Sequence, residues 1–186
     1  MLIDLHRRQL LRIAREAIAV VHAGRAPEWD AADFDEELRR HAGAFVTLTT
    51  KSGDLRGCIG SIHPVHPLYH AVTSSAISAA FRDPRFDPVQ PDELPQLGIE
   101  ISVMGPIERV AKPEEIVVGR DGLIVSRGRY AGLLLPQVAT EYGWERETFL
   151  AQTCVKAGLP PTAWCMEDTR IERFAAEVFG ESLLGQ

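Results

Sequence analysis

The chain has 186 residues, 45% hydrophobic and 25% charged, with a formal net charge of −6. That length and balance suit a soluble globular domain with a substantial core, and the acidic excess argues against sequence-independent nucleic-acid binding. No apolar run approaches the ~20 residues that span a membrane, and Asp4, His6, Arg7 and Arg8 interrupt the apolar stretch a signal peptide would need.

Cysteines stand at 58, 154 and 165. An odd count without a Cys-x-x-Cys pair points away from a disulfide framework or zinc knuckle and towards a reducing cytoplasm. No charge block, repeat or low-complexity linker divides the sequence, so residues 1–186 read as one domain. The proline-rich stretch from Asp83 to Pro95 is the expected subdomain junction.

Leu10, Ala14, Ala17 and Val21 recur at helical spacing, with Leu11 and Ile18 widening the stripe, so Asp4 to His22 reads as an amphipathic helix. Gly24 and Pro27 end it. A short second helix is expected over Asp33 to Arg40. Ala44 to Thr50 and Leu55 to Ser61 then form a hairpin around Lys51-Ser52-Gly53-Asp54, with Ser52-Gly53 as the two-residue loop. Pairing Lys51 with Asp54 sets Thr49 opposite Arg56, Thr47 opposite Cys58 and Phe45 opposite Gly60. Val46, Leu48, Leu55 and Ile59 then share the face expected to cover the core.

Pro67 opens a helix that runs to Phe81 with a small-residue face, and Asp83-Pro84 stops it. Ile99 to Met104 alternates as a strand. Gly122 to Ser126 and Tyr130 to Leu135 form a strand pair around Arg127-Gly128-Arg129. Short and longer helices follow over Pro136 to Tyr142 and Arg146 to Ala157. Arg170 to Phe179 alternates at Phe174, Ala176 and Val178, which favours a strand over a helix. Mixed strands and helices without a βαβ rhythm imply an α+β fold with a largely antiparallel sheet and flanking helices.

Chemistry concentrates in Leu55-Arg56-Gly57-Cys58-Ile59-Gly60. The strand period of two puts Arg56 and Cys58 on one face. A cation beside a cysteine favours the reactive thiolate, and Gly57 and Gly60 let a ligand approach the backbone. Cys58 and Arg56 are therefore the candidate catalytic pair. Cys58 also reads as a small packed residue, and Arg56 equally as half of a sheet-stiffening ion pair. Arg82 and Arg85, in Arg82-Asp83-Pro84-Arg85-Phe86, join Gly57 and Gly60 as candidate ligand-binding residues because an arginine cluster suits an anion. Asp83 reads as a local cap and ion-pair partner.

His63, His66 and His70 are interrupted by Pro64 and Pro67 and share no helical face, so they read as surface loop and no metal or other cofactor is expected. Cys154 lies on the apolar stripe of its helix and reads as packing. Trp144 and Trp164 read as core anchors. Gly119, Gly122 and Gly128 lack the strand–turn–helix context of a dinucleotide fingerprint.

The sequence resembles the AMMECR domain family, whose prokaryotic members are called AmmeMemoRadiSam system protein A. The resemblance starts at Leu55-Arg56-Gly57-Cys58-Ile59-Gly60 and extends, in order, over Gly43-Ala44-Phe45-Val46-Thr47-Leu48, Ala80 to Phe86, Ile99 to Val103, Gly122 to Val125, Leu135 to Ala139 and Gly143-Trp144. It implies an α+β fold with a larger and a smaller subdomain flanking a cleft near the Arg-Gly-Cys motif. It also implies partners, because prokaryotic members are often encoded beside a Memo-type protein and a radical S-adenosylmethionine enzyme. It implies no reaction. Three readings follow: an accessory protein that holds a substrate or partner segment at Cys58, an enzyme using Cys58 thiol chemistry assisted by Arg56, and a module that binds protein or RNA.

Overall fold

The computed structural model describes residues 2–181. Its main elements in chain order are α1 (Asp4–His22), α2 (Glu36–Arg39), β1 (Ala44–Thr49), β2 (Leu55–Ser61), α3 (Leu68–Phe81), β3 (Gly98–Met104), β4 (Glu108–Arg109), β5 (Asp121–Arg127), β6 (Tyr130–Leu134), α4 (Pro136–Glu141), α5 (Arg146–Lys156) and β7 (Arg170–Gly180). The pairings described below are antiparallel, and helices flank the strands, which makes the class α+β. The segment from Asp30 to Arg40 holds a 3-10 turn and the four-residue α2 rather than one helix, and Asp35 caps α2 by accepting from Leu38 N–H.

The chain divides into two compact units. The first comprises residues up to Met104 and returns from Glu177 onwards; the second is Gly105–Ala176. The proline-rich Asp83–Pro95 segment thus lies inside the first unit and is not the junction. It is held there by packing: Val89 and Leu94 are buried in the first core, and Val89 N–H donates to Ala80 O at 2.9 Å. Proline content marks irregular backbone, and irregular backbone can be tied down by side chains as firmly as a strand.

In the first unit β1 is central, pairing with β2 on one side and β3 on the other. Ala44, Val46 and Leu48 are buried, and the alternate residues Phe45, Thr47 and Thr49 are half-buried. Such alternation marks a sheet with one face on the core. Helix α3 covers that face, and α1 packs against α3 and β3. The core includes Leu10, Ile13, Ile18, Leu68, Val72 and Ile101, all with no measurable exposure. Each such side chain contributes about 1.5–3 kcal/mol of apolar burial.

In the second unit β5 lies between β6 and β7, and the two-residue β4 adds to β7. Helix α5 packs on β5 and β6, burying Phe149, Leu150 and Cys154 against Leu123 and Val125. Trp144 and Trp164 are partly buried against the same cluster. No helix among the described residues is long and apolar enough to cross a membrane.

Candidate functional site

The hairpin positions Cys58. The loop holds three residues rather than the expected two: Thr50, not Lys51, faces Asp54, with Thr50 N–H donating to Asp54 O at 2.9 Å, and Gly53 adopts φ 90°, a backbone angle that glycine takes without steric cost. Thr47 pairs with Cys58 and Phe45 with Gly60. The register then slips: Leu48 pairs with Gly57 but Thr49 with Leu55, so Arg56 is an extra, unpaired residue. Arg56 therefore does not face Thr49. A bulge of this kind redirects the side chain it carries. It also turns out Leu55, which is 42% exposed rather than part of the core-covering face. Val46 and Leu48 do face the core, and Ile59 packs at its margin.

Gly57 explains which way the cysteine points. A Cβ built on Gly57 would lie 2.2 Å from Ala79 O, a main-chain atom of α3. The strand and helix touch there, so only glycine fits. Cys58, one residue on, points to the opposite face, away from α3. Its thiol is half-buried, and the Thr47 hydroxyl donates to Cys58 Sγ at 3.3 Å.

The edge of β2 is covered by side chains rather than by another strand. Asp83, at 2% side-chain exposure, accepts from Cys58 N–H at 2.9 Å. Arg85 makes a two-pronged pair with Asp83 at 2.9 and 2.7 Å and donates to Cys58 O at 3.5 Å. The Arg85 guanidinium holds the Asp83 carboxyl well below the usual range, aided by the N–H groups of Cys58 and Arg85 and opposed by burial. In turn Asp83 raises Arg85, and Cys58 adds to that rise. Arg85 itself is 53% exposed, so one side of its fork remains open to a ligand.

Arg56 has a different place. Its guanidinium is 15% exposed, pairs with Glu93 through two bonds at 3.0 and 3.1 Å, and donates to Asp87 O at 2.9 Å. Arg56 draws Glu93 below its ordinary value. The cation that bonds the main chain of Cys58 is thus Arg85, while Arg56 anchors the following loop to the strand. Arg82 is exposed at the C-terminal end of α3 and makes no side-chain hydrogen bond among the described residues. Gly60 lines a separate pocket with residues from α3 and the loop after β2.

Among the described residues no three His, Cys, Asp or Glu side chains converge as a metal site. The His63 and His66 side chains lie in exposed loop, and the His66 and His70 rings stand 5.0 Å apart. Cys154 is fully buried, and burial pushes its thiol up; Cys165 is exposed. Sequence reasoning missed Thr47 and Asp83 as partners of Cys58. The expected register did carry a signal for Thr47, since it set that hydroxyl opposite the thiol. Asp83 and Glu93 carried none, because they reach β2 from 25 and 37 residues away.

The strand, helix and loop segments that build this arrangement fall within residues 11–179, which match the family model AMMECR1. The chain belongs to the AMMECR1 family. A protein of Thermococcus gammatolerans is 50% identical over 182 residues, covering 92% of this chain and 88% of its own. A protein of Methanothermobacter thermautotrophicus is 50% identical over 184 residues, covering 94% and 93%. The crystal structure of the uncharacterized protein PH0010 from Pyrococcus horikoshii is similar to this AMMECR1-family chain at a TM-score of 0.86 and 46% identity, covering 94% of this chain and 91% of that one.

Proposed function

We propose that this chain is an accessory protein of a modification pathway, working with Memo-type and radical S-adenosylmethionine partners in the cytoplasm, and that the Cys58 face holds a substrate or partner segment. The observation that carries the reading is the half-buried Cys58 thiol, bonded by Thr47 and flanked by the half-exposed Arg85. Such a set can grip a segment in three ways: sulfur contact, hydroxyl hydrogen bonding and guanidinium pairing with an anion. The family resemblance supplies the partner classes. Affinity capture from the native organism with the tagged chain is expected to recover both partners, and to recover less of them with Cys58→Ala. Capture of neither partner overturns the reading.

The Thr47 hydrogen bond to sulfur favours a second reading, in which Cys58 performs thiol chemistry itself. A hydroxyl that donates to sulfur steadies the anionic form a nucleophile needs. Arg85 then takes the assisting place expected of Arg56. Iodoacetamide is expected to label Cys58 faster than an unstructured cysteine peptide under the same conditions. A thiol that labels no faster removes this reading and leaves the first intact.

A further inference from the structure

Two residues beyond Cys58 the strand meets a pocket of about 300 Å3, bounded by the end of β2, the loop after it and one side of α3. Its polar side chains are those of Ser61, His63, His66, Ser74, Ser75 and Ser78, and Gly60 contributes main chain. The Ser61 hydroxyl accepts from His63 N–H at 3.1 Å. No Asp or Glu lines the pocket. That is notable in a chain with 26 acidic residues. Because Cys58 N–H points away from β1 to Asp83, and the register is unbroken from Cys58 to Gly60, Gly60 N–H also points away from β1. Ser74, Ser78 and the His63 and His66 rings make no side-chain hydrogen bond among the described residues. Ser75 is 7% exposed and spends its one proton on Ala44 O at 3.1 Å, which leaves its lone pairs for a donor.

We propose that this pocket binds a tetrahedral oxyanion, a phosphate group on a small ligand. Donors reach it from three directions: the strand edge through Gly60 N–H, the helix through Ser74 and Ser78, and the loop through His63 and His66. A phosphate oxygen accepts from several donors at once, and its remaining P–OH fits the acceptor left on Ser75. The absence of a lining carboxylate removes the repulsion that would exclude an anion. The volume matches the lower end of small-ligand sites. The pocket uses neither the Cys58 thiol nor Arg85, so it goes beyond the function proposed above and stands or falls apart from it.

The test is an NMR titration of the full chain with inorganic phosphate, against sodium chloride at equal ionic strength. Saturable shifts of the Gly60 and Ser74 amides are expected, with a Kd on the order of 1 mM. The double variants His63→Ala/His66→Ala and Ser74→Ala/Ser78→Ala replace side chains at or near the surface, and each should weaken binding about tenfold. Cys58→Ser should bind as the parent does. Shifts that never saturate, that chloride reproduces, or that both double variants retain at the same Kd overturn the proposal. Loss of Cys58 labelling or of partner capture would leave it untouched.

Discussion

Cys58 and Cys154 are the same residue in two opposed settings. Cys154 sits on α5 with no exposed surface, its thiol pushed up by burial among Phe149, Leu150 and their neighbours. Cys58 sits on β2, half-buried, with a hydroxyl on its sulfur and a carboxylate and guanidinium on its main chain. One thiol fills space and the other is held by directional bonds. The difference comes from what stands next to each: apolar helix neighbours in one case, and in the other a glycine that lets α3 close against the strand's far side.

That comparison can be broken most sharply at Gly57. Valine there would drive a branched side chain into Ala79 O, and neither main chain can give way cheaply. Overpacking at a backbone contact costs about 3 kcal/mol or more. Gly57→Val should lower the melting temperature by many degrees; an unchanged melt would mean that β2 and α3 are not in contact.

Asp83 comes next. Asp83→Asn removes the anion that Arg85 and Cys58 N–H share, and should cost about 2 kcal/mol after discounting for the half-exposed arginine. Its sign with pH is fixed. The folded carboxyl lies below its ordinary value, so its contribution is complete above the unfolded range near pH ~4 and fades as pH falls below it. Urea midpoints should therefore separate parent and Asp83→Asn most at pH 7, and the gap should narrow steadily as pH falls below ~4. A gap that does not narrow between pH ~4 and pH ~2 would deny the ionised pair its role.

Cys154→Ala leaves a cavity in the second core and should cost about 1–2 kcal/mol. Cys58→Ala should cost less than ~1 kcal/mol, because its site is already part open to water. Parallel denaturant melts give both numbers, and equal losses would erase the contrast between the two thiols. The mildest probe is timed labelling of the folded parent. Cys58 and Cys165 should label, while Cys154 should wait for unfolding.

Much of the fold was legible before any coordinates. The apolar stripe from Leu10 to Val21 defined α1 to its terminal residues, and the alternation of Ala44, Val46 and Leu48 defined β1. The expected Thr47–Cys58 pairing is present, but by cancellation: the loop is one residue longer than expected and the bulge at Arg56 restores the register. What stayed hidden is non-local or very short. At the bulge, Glu93 and Asp87 hold the Arg56 guanidinium, and no local rule predicts a partner 37 residues away. Strand β4 has two residues, too few for a period to register. The boundary between the units falls at Met104 and Gly105, directly after a regular strand, where composition does not change.

The Asp83–Arg85 clip has one more consequence. Strand β2 ends its sheet, and a bare outer strand is a template on which a second molecule can add its own. By occupying the amide and carbonyl of Cys58, the clip denies that purchase at the middle of the strand. The pair that fixes a sulfur in position therefore also guards the protein against stacking into aggregates.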